Sequence, residues 1–178
     1  NVPEQRRYFR STAAHNTISI NDLDQTKQWT TFRWHKAARV TEWNLDENAK
    51  GFEFMGTHDG YKSIGLVHSR RIFGPSDLKK LIVNDCIEGK GTGIIKLFWH
   101  FSPELSLEKT GENEFSILNS GDFLGTLRLH TEETLTTEIV ETPFSERYGS
   151  LSRKKTLEIT IQKEQQNEIT IKTEFHFK

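Results

Sequence analysis

The 178-residue sequence holds one cysteine, Cys86, so no disulfide can form within it. That does not argue against export, because many exported proteins need none. No apolar run approaches the length that a membrane helix requires. No basic-then-apolar leader opens the sequence, which starts Asn1-Val2-Pro3-Glu4. Charge of one sign is also lacking: 24 Lys and Arg stand against 25 Asp and Glu. This balance gives no general drive toward nucleic acid or an anionic membrane. Internal repeats, low-complexity tracts and linkers are absent, as is any segment with a convincing helical period. Neither His-x-His nor His-Glu-x-x-His occurs among the seven histidines, so no local zinc motif is present. The glycines at 89, 91 and 93 lack the lysine and hydroxyl ending of a phosphate loop and read as a β turn.

What is present is period-two alternation and a large aromatic content, with twelve Phe, four Trp and three Tyr. Each large ring removes much area from water, so Phe carries much of the apolar payload. Alternation is plainest at residues 157–161 and 169–177, where Ile, Leu and Phe occupy every second position. Residues 37–45 read as extended, with Val40 and Trp43 as anchors. Residues 64–73 place His68, Arg70 and Ile72 on one face and Arg71 on the other. About twelve strands with short turns imply an all-β fold of stacked antiparallel sheets, a β-sandwich or supersandwich, over residues 1–178. Residues 1–11 are polar and arginine-rich, without a core face.

Besides the set His68, Arg70 and Arg71, three stretches have residues suited to chemistry. His15 stands immediately before an alternating strand, where its backbone is held while its ring projects; a surface or capping imidazole fits the position equally well. His58-Asp59-Gly60-Tyr61 brings an imidazole, a carboxylate and a phenol to one tight turn. There His58 and Asp59 could bond each other and Tyr61 could donate to a ligand, or the same residues could make a polar turn. Trp29, Phe32, Arg33 and Trp34 form an aromatic-basic stretch. Aromatic faces suit sugar rings, and arginine suits carboxylate or sulfate; a loop sealing the sheet edge is equally compatible.

The block Arg7-Tyr8-Phe9-Arg10-Ser11-Thr12-Ala13-Ala14-His15-Asn16-Thr17-Ile18-Ser19-Ile20-Asn21 resembles the start of the C-terminal β region of the heparinase II/III-like family. Asp24-Gln25, Phe32-Arg33-Trp34, His58-Asp59-Gly60-Tyr61, His68 with Arg70-Arg71, Asn84-Asp85, Glu88-Gly89 and Phe98-Trp99-His100-Phe101 follow in the family's order. The resemblance implies a piece of a bacterial polysaccharide lyase that cleaves uronate-containing chains by β-elimination. It implies an upstream helical toroid, against which residues 1–35 would pack. It also implies a structural metal, commonly zinc, with His15 as one ligand, and Arg10, Trp34, His58, Asp59 and Tyr61 as contacts to an anionic polysaccharide. The family's His-x-His-x-Asp stretch and the toroid's asparagine and tyrosine do not occur in this sequence. The expectation is therefore a region inactive by itself, holding metal weakly or not at all, from a periplasmic or extracellular protein. A carbohydrate-binding or scaffolding module without catalysis is the alternative.

Overall fold

The computed structural model describes residues 3–30, 33–35, 37–147, 149–165 and 168–178. Phe32, one of the expected aromatic contacts, lies outside them. The strands, in chain order, are β1 (Ile18–Ile20), β2 (Lys27–Gln28), β3 (Trp34–His35), β4 (Val40–Asn48), β5 (Gly51–His58), β6 (Val67–Pro75) and β7 (Lys80–Glu88). They continue with β8 (Gly93–His100), β9 (Leu105–Lys109), β10 (Glu114–Asn119), β11 (Asp122–His130), β12 (Leu135–Phe144), β13 (Ser152–Lys163) and β14 (Ile169–Phe177).

An eight-stranded sheet runs β4-β5-β6-β7-β14-β11-β10-β9, and a four-stranded sheet runs β1-β8-β13-β12. The strand pairs are antiparallel, including the small β2–β3 hairpin. The expected all-β fold of stacked antiparallel sheets is thus the one observed. The alternating residues meet between the layers: Ile95, Leu97, Leu157, Ile159 and Ile161 from the smaller sheet face Val83, Ile87, Ile169, Ile171 and Phe175 from the larger. Trp99 packs edge-on against Phe175 at 5.1 Å and donates its indole N–H to Thr173 Oγ1 at 3.2 Å, tying the layers together.

Two expectations about local structure are corrected. Residues Pro3–Phe9 form a short helix, α1, where the sequence suggested no element. Proline at its first position, Glu4 in the first turn and Arg6 and Arg7 in the last suit a helix end to end. The other correction concerns Val40 and Trp43, which are 65% and 69% exposed rather than anchors. A bulge between Val40 and Glu42 puts both on the sheet face shared with His58 and Gly56. However, β4 is the edge of a sheet twice as wide as its cover.

Candidate functional site

The segment ahead of β1 is stitched to the turn that follows it. Asp24 Oδ1 accepts from the Thr12 amide at 2.6 Å, and Thr12 Oγ1 accepts from the Gln25 amide at 2.8 Å. The Gln25 side-chain amide donates to Thr17 Oγ1 at 2.9 Å. Asn21 and Asp22 carry φ of 54° and 55°, a conformation that short polar side chains tolerate. This turn, the β2–β3 hairpin and the turn after β5 enclose a cleft of about 810 Å³, lined by Asp24, Lys27, His35, Asp59, Gly60 and Lys62 among others. Beside it, the Arg10 guanidinium lies 4.2 Å over the ring of Trp34 and donates to the Thr30 carbonyl. Trp29 meets His35 edge-on at 6.0 Å. Trp29 and Trp34 are 66% and 43% exposed. The result is an open aromatic surface with a cation held against it.

The turn expected to gather His58, Asp59 and Tyr61 is built differently from its sequence. Tyr61 is buried, and its hydroxyl donates to the carbonyls of Ile18 at 2.8 Å and Leu23 at 3.3 Å. It braces the cleft from behind, and burial holds its phenol above the ordinary pKa. Asp59 Oδ1 accepts from the Arg39 amide at 2.7 Å, and its own amide donates to the Arg39 carbonyl at 3.1 Å. Gly60 is required for space: a Cβ there would meet the Gln25 carbonyl at 2.9 Å and His58 Nδ1 at 3.0 Å.

His58 bonds not to Asp59 but across the sheet. Its Nε2 lies 3.0 Å from Nδ1 of His68, its registered partner on β6. His68 Nε2 lies 2.6 Å from Asp85 Oδ1, and Arg70 grips Asp85 with Nε at 2.7 Å and Nη2 at 3.0 Å. The bonding order sets the protons. The Gly60 amide donates to His58 Nδ1 at 3.1 Å, so the neutral ring carries its proton on Nε2 and donates to His68. His68 then carries its proton on Nε2 and donates to Asp85. Burial, with the neighbouring His68, pushes His58 down to about 4, keeping it neutral near pH 7. Burial alone would raise the Asp85 carboxyl; the bonds from His68 and the charge of Arg70 outweigh it and hold the group ionised.

Arg70 also donates through Nη1 to the carbonyl of Asn16. Asn16 Oδ1 accepts from the His100 amide at 2.7 Å, while His100 bonds Thr156 Oγ1 at 2.7 Å and the Ala13 carbonyl at 3.0 Å. The residues flanking His15 are thereby held from the core by side chains of both sheets, while His15 itself is exposed. Its ring makes no hydrogen bond among the described residues. As a metal ligand it offers one imidazole, and one donor does not hold a divalent cation. Among the described residues, three potential donors converge at Cys86, Glu88 and Glu168, a group that does not include His15. There burial and the facing carboxylates push the thiol up to about 12, away from the thiolate a metal needs.

Residues 1–173 match the family model described as Heparinase II/III-like, C-terminal. The chain belongs to that family. No curated protein matches the sequence. Among solved structures, a heparinase III aligns with a TM-score of 0.78 at 18% identity, over 99% of this chain and 25% of that chain. A heparinase III gene product gives 0.77 at 17%, over 99% and 26%. The heparan sulfate lyase of Pedobacter heparinus gives 0.72 at 17%, over 97% and 25%. At such identities the likeness shows the fold. The chain spans about a quarter of the length of these structures. No helix among the described residues is long and apolar enough to cross a membrane.

Proposed function

We propose that this chain is the C-terminal β region of a polysaccharide lyase that cleaves uronate-containing chains by β-elimination, and that it is inactive alone. The observation that carries the reading is the Arg10 guanidinium stacked on exposed Trp34 beside the cleft. Trp34, with Trp29, offers faces for sugar rings, and Arg10 sets a positive charge beside them that suits a uronate carboxylate or a sulfate. Asp59 shapes this wall through Arg39, and His58 and Tyr61 support it from behind rather than touching sugar. The elimination needs a base for the C5 proton, an acid for the departing 4-linked oxygen and neutralisation of the carboxylate. Arg10 suits the last of these tasks; the base and acid are assigned to the rest of the parent polypeptide. His15 is proposed as one ligand of a structural zinc whose other ligands lie outside these 178 residues. Action on large anionic glycans places the parent in the periplasm or outside the cell.

A glycan-binding or scaffolding module is the second reading. It is favoured by the internal commitment of the Tyr61 hydroxyl and both His58 nitrogens, which occupies the imidazole and the phenol of that turn. Incubation of the 178-residue chain with alginate and heparan sulfate should give no unsaturated-uronate absorbance, and the parent should give it. Arg10→Ala and Trp34→Ala in the parent should each weaken substrate affinity about tenfold, as expected when a stacked or charge-assisted contact is lost. Unaltered affinity in both variants would remove the cleft from the reading; an inactive parent with intact glycan retention would favour the module.

A further inference from the structure

Asp85 is fully buried and does not line the cleft described above, yet two paths of bonds leave it for functional segments. One passes through His68 and His58 to the Gly60 amide on the cleft wall. The other passes through Arg70 to the Asn16 carbonyl beside His15. We propose that Asp85 is a positioning residue for the candidate site, setting the His58 tautomer and the Gly60 turn on one side and the Asn16 backbone on the other. That the turn serves a glycan site rests on the function proposed above.

The direction of the protons is what makes the carboxylate necessary. An ionised carboxylate only accepts, so both the His68 N–H and the Arg70 fork can point at it. An asparagine in its place carries two N–H donors. If the amide nitrogen faces His68, His68 must move its proton to Nδ1, where it opposes the His58 Nε2–H. His58 must then move its own proton to Nδ1, against the Gly60 amide. If the nitrogen instead faces Arg70, the guanidinium loses an acceptor and the Asn16 carbonyl loses its hold. A residue that only fills space would leave the proton on a ring two partners away unmoved.

The test is nitrogen-15 NMR of the imidazoles. Wild-type His58 should show a single Nε2–H tautomer from about pH 5.5 to 8. Asp85→Asn should either mix or invert the His58 tautomer and raise Gly60 amide exchange at least about tenfold, or, with its nitrogen toward Arg70, shift the Asn16 carbonyl carbon, while β13 and β14 keep their protection. If that variant does not fold, His68 carries the same test with the Arg70–Asp85 pair intact. His68→Leu should free the His58 ring and raise Gly60 exchange, whereas His68→Gln, which accepts at one atom and donates at another, should restore it. Wild-type His58 tautomer and Gly60 exchange together with an unmoved Asn16 carbonyl carbon shift in Asp85→Asn, or wild-type Gly60 exchange in His68→Leu where Asp85→Asn does not fold, overturn the proposal. Retention on immobilised alginate and heparan sulfate separates the two claims. Altered His58 with wild-type retention upholds Asp85 as a positioning residue and removes the turn from the glycan site.

Discussion

Tyr61→Phe separates a structural phenol from a ligand-binding one. The ring stays and no cavity opens, so the change isolates the hydroxyl. That hydroxyl serves two backbone carbonyls, Ile18 at 2.8 Å and Leu23 at 3.3 Å. Ile18 retains a second donor in the Gln25 side-chain amide at 3.3 Å, so the unsatisfied acceptor left behind is chiefly Leu23. One well-made bond and one long one, both away from water, set the loss at about 1–2 kcal/mol. For a chain of this size that corresponds to a Tm lower by about 2–8 °C. The m-value of urea unfolding should not change, because the surface exposed on unfolding is the same. The second consequence is local: the turn at 21–25 loses its tie to the core, and its amides should exchange faster. Glycan affinity should fall only as far as that wall loosens. Wild-type stability together with a large loss of glycan affinity would refute the argument, since it would put the hydroxyl on the ligand.

Phe175 is core-facing, edge-on to Trp99, and Phe175→Asp should lower stability by about 3–5 kcal/mol through lost burial and an unpaired buried charge; an unchanged urea midpoint would contradict the packing. His58 and His100 are both pushed down to about 4, burial being the first cause for each. The unfolded chain therefore binds more protons than the folded one between about pH 6.5 and 4. Stability should be full above that window and fall as pH drops through it. A stability profile flat from pH 7 to 4.5 would be inconsistent with this, and His58→Gln should reduce its slope.

The strands of the last third were legible because alternation alone defines them: Ile159, Ile161, Ile171 and Phe175 point one way at every second residue, and the core lies where they point. The same rule misplaced Val40 and Trp43. Periodicity says which residues share a face but not whether anything covers it, and cover depends on where a strand falls in the sheet order. Helix α1 escaped notice for the opposite reason, since its polar and basic residues carry no apolar stripe to reveal a period.

The site shows the same division between what lies along the chain and what lies across it. Adjacency suggested that His58 would bond Asp59, but a side chain's nearest equal on a sheet is its cross-strand partner. Register sets His58 opposite His68 and Arg70 opposite Asp85, separations of ten and fifteen residues that no local motif marks. His68 and Arg70 could be placed on one face from their spacing; Asp85 could not, because nothing before pairing says which strand lies alongside β6. The metal donors and the lyase's acid and base pose the same problem at a larger scale. His15 is presented by bonds from Arg70 and His100 on two different sheets. A ligand set completed from another part of the polypeptide would extend that logic by one more layer. The residues to follow in this fold are thus the buried acceptors that join strands, and Asp85, which joins the cleft turn to the His15 segment, is the one whose loss should be felt at both.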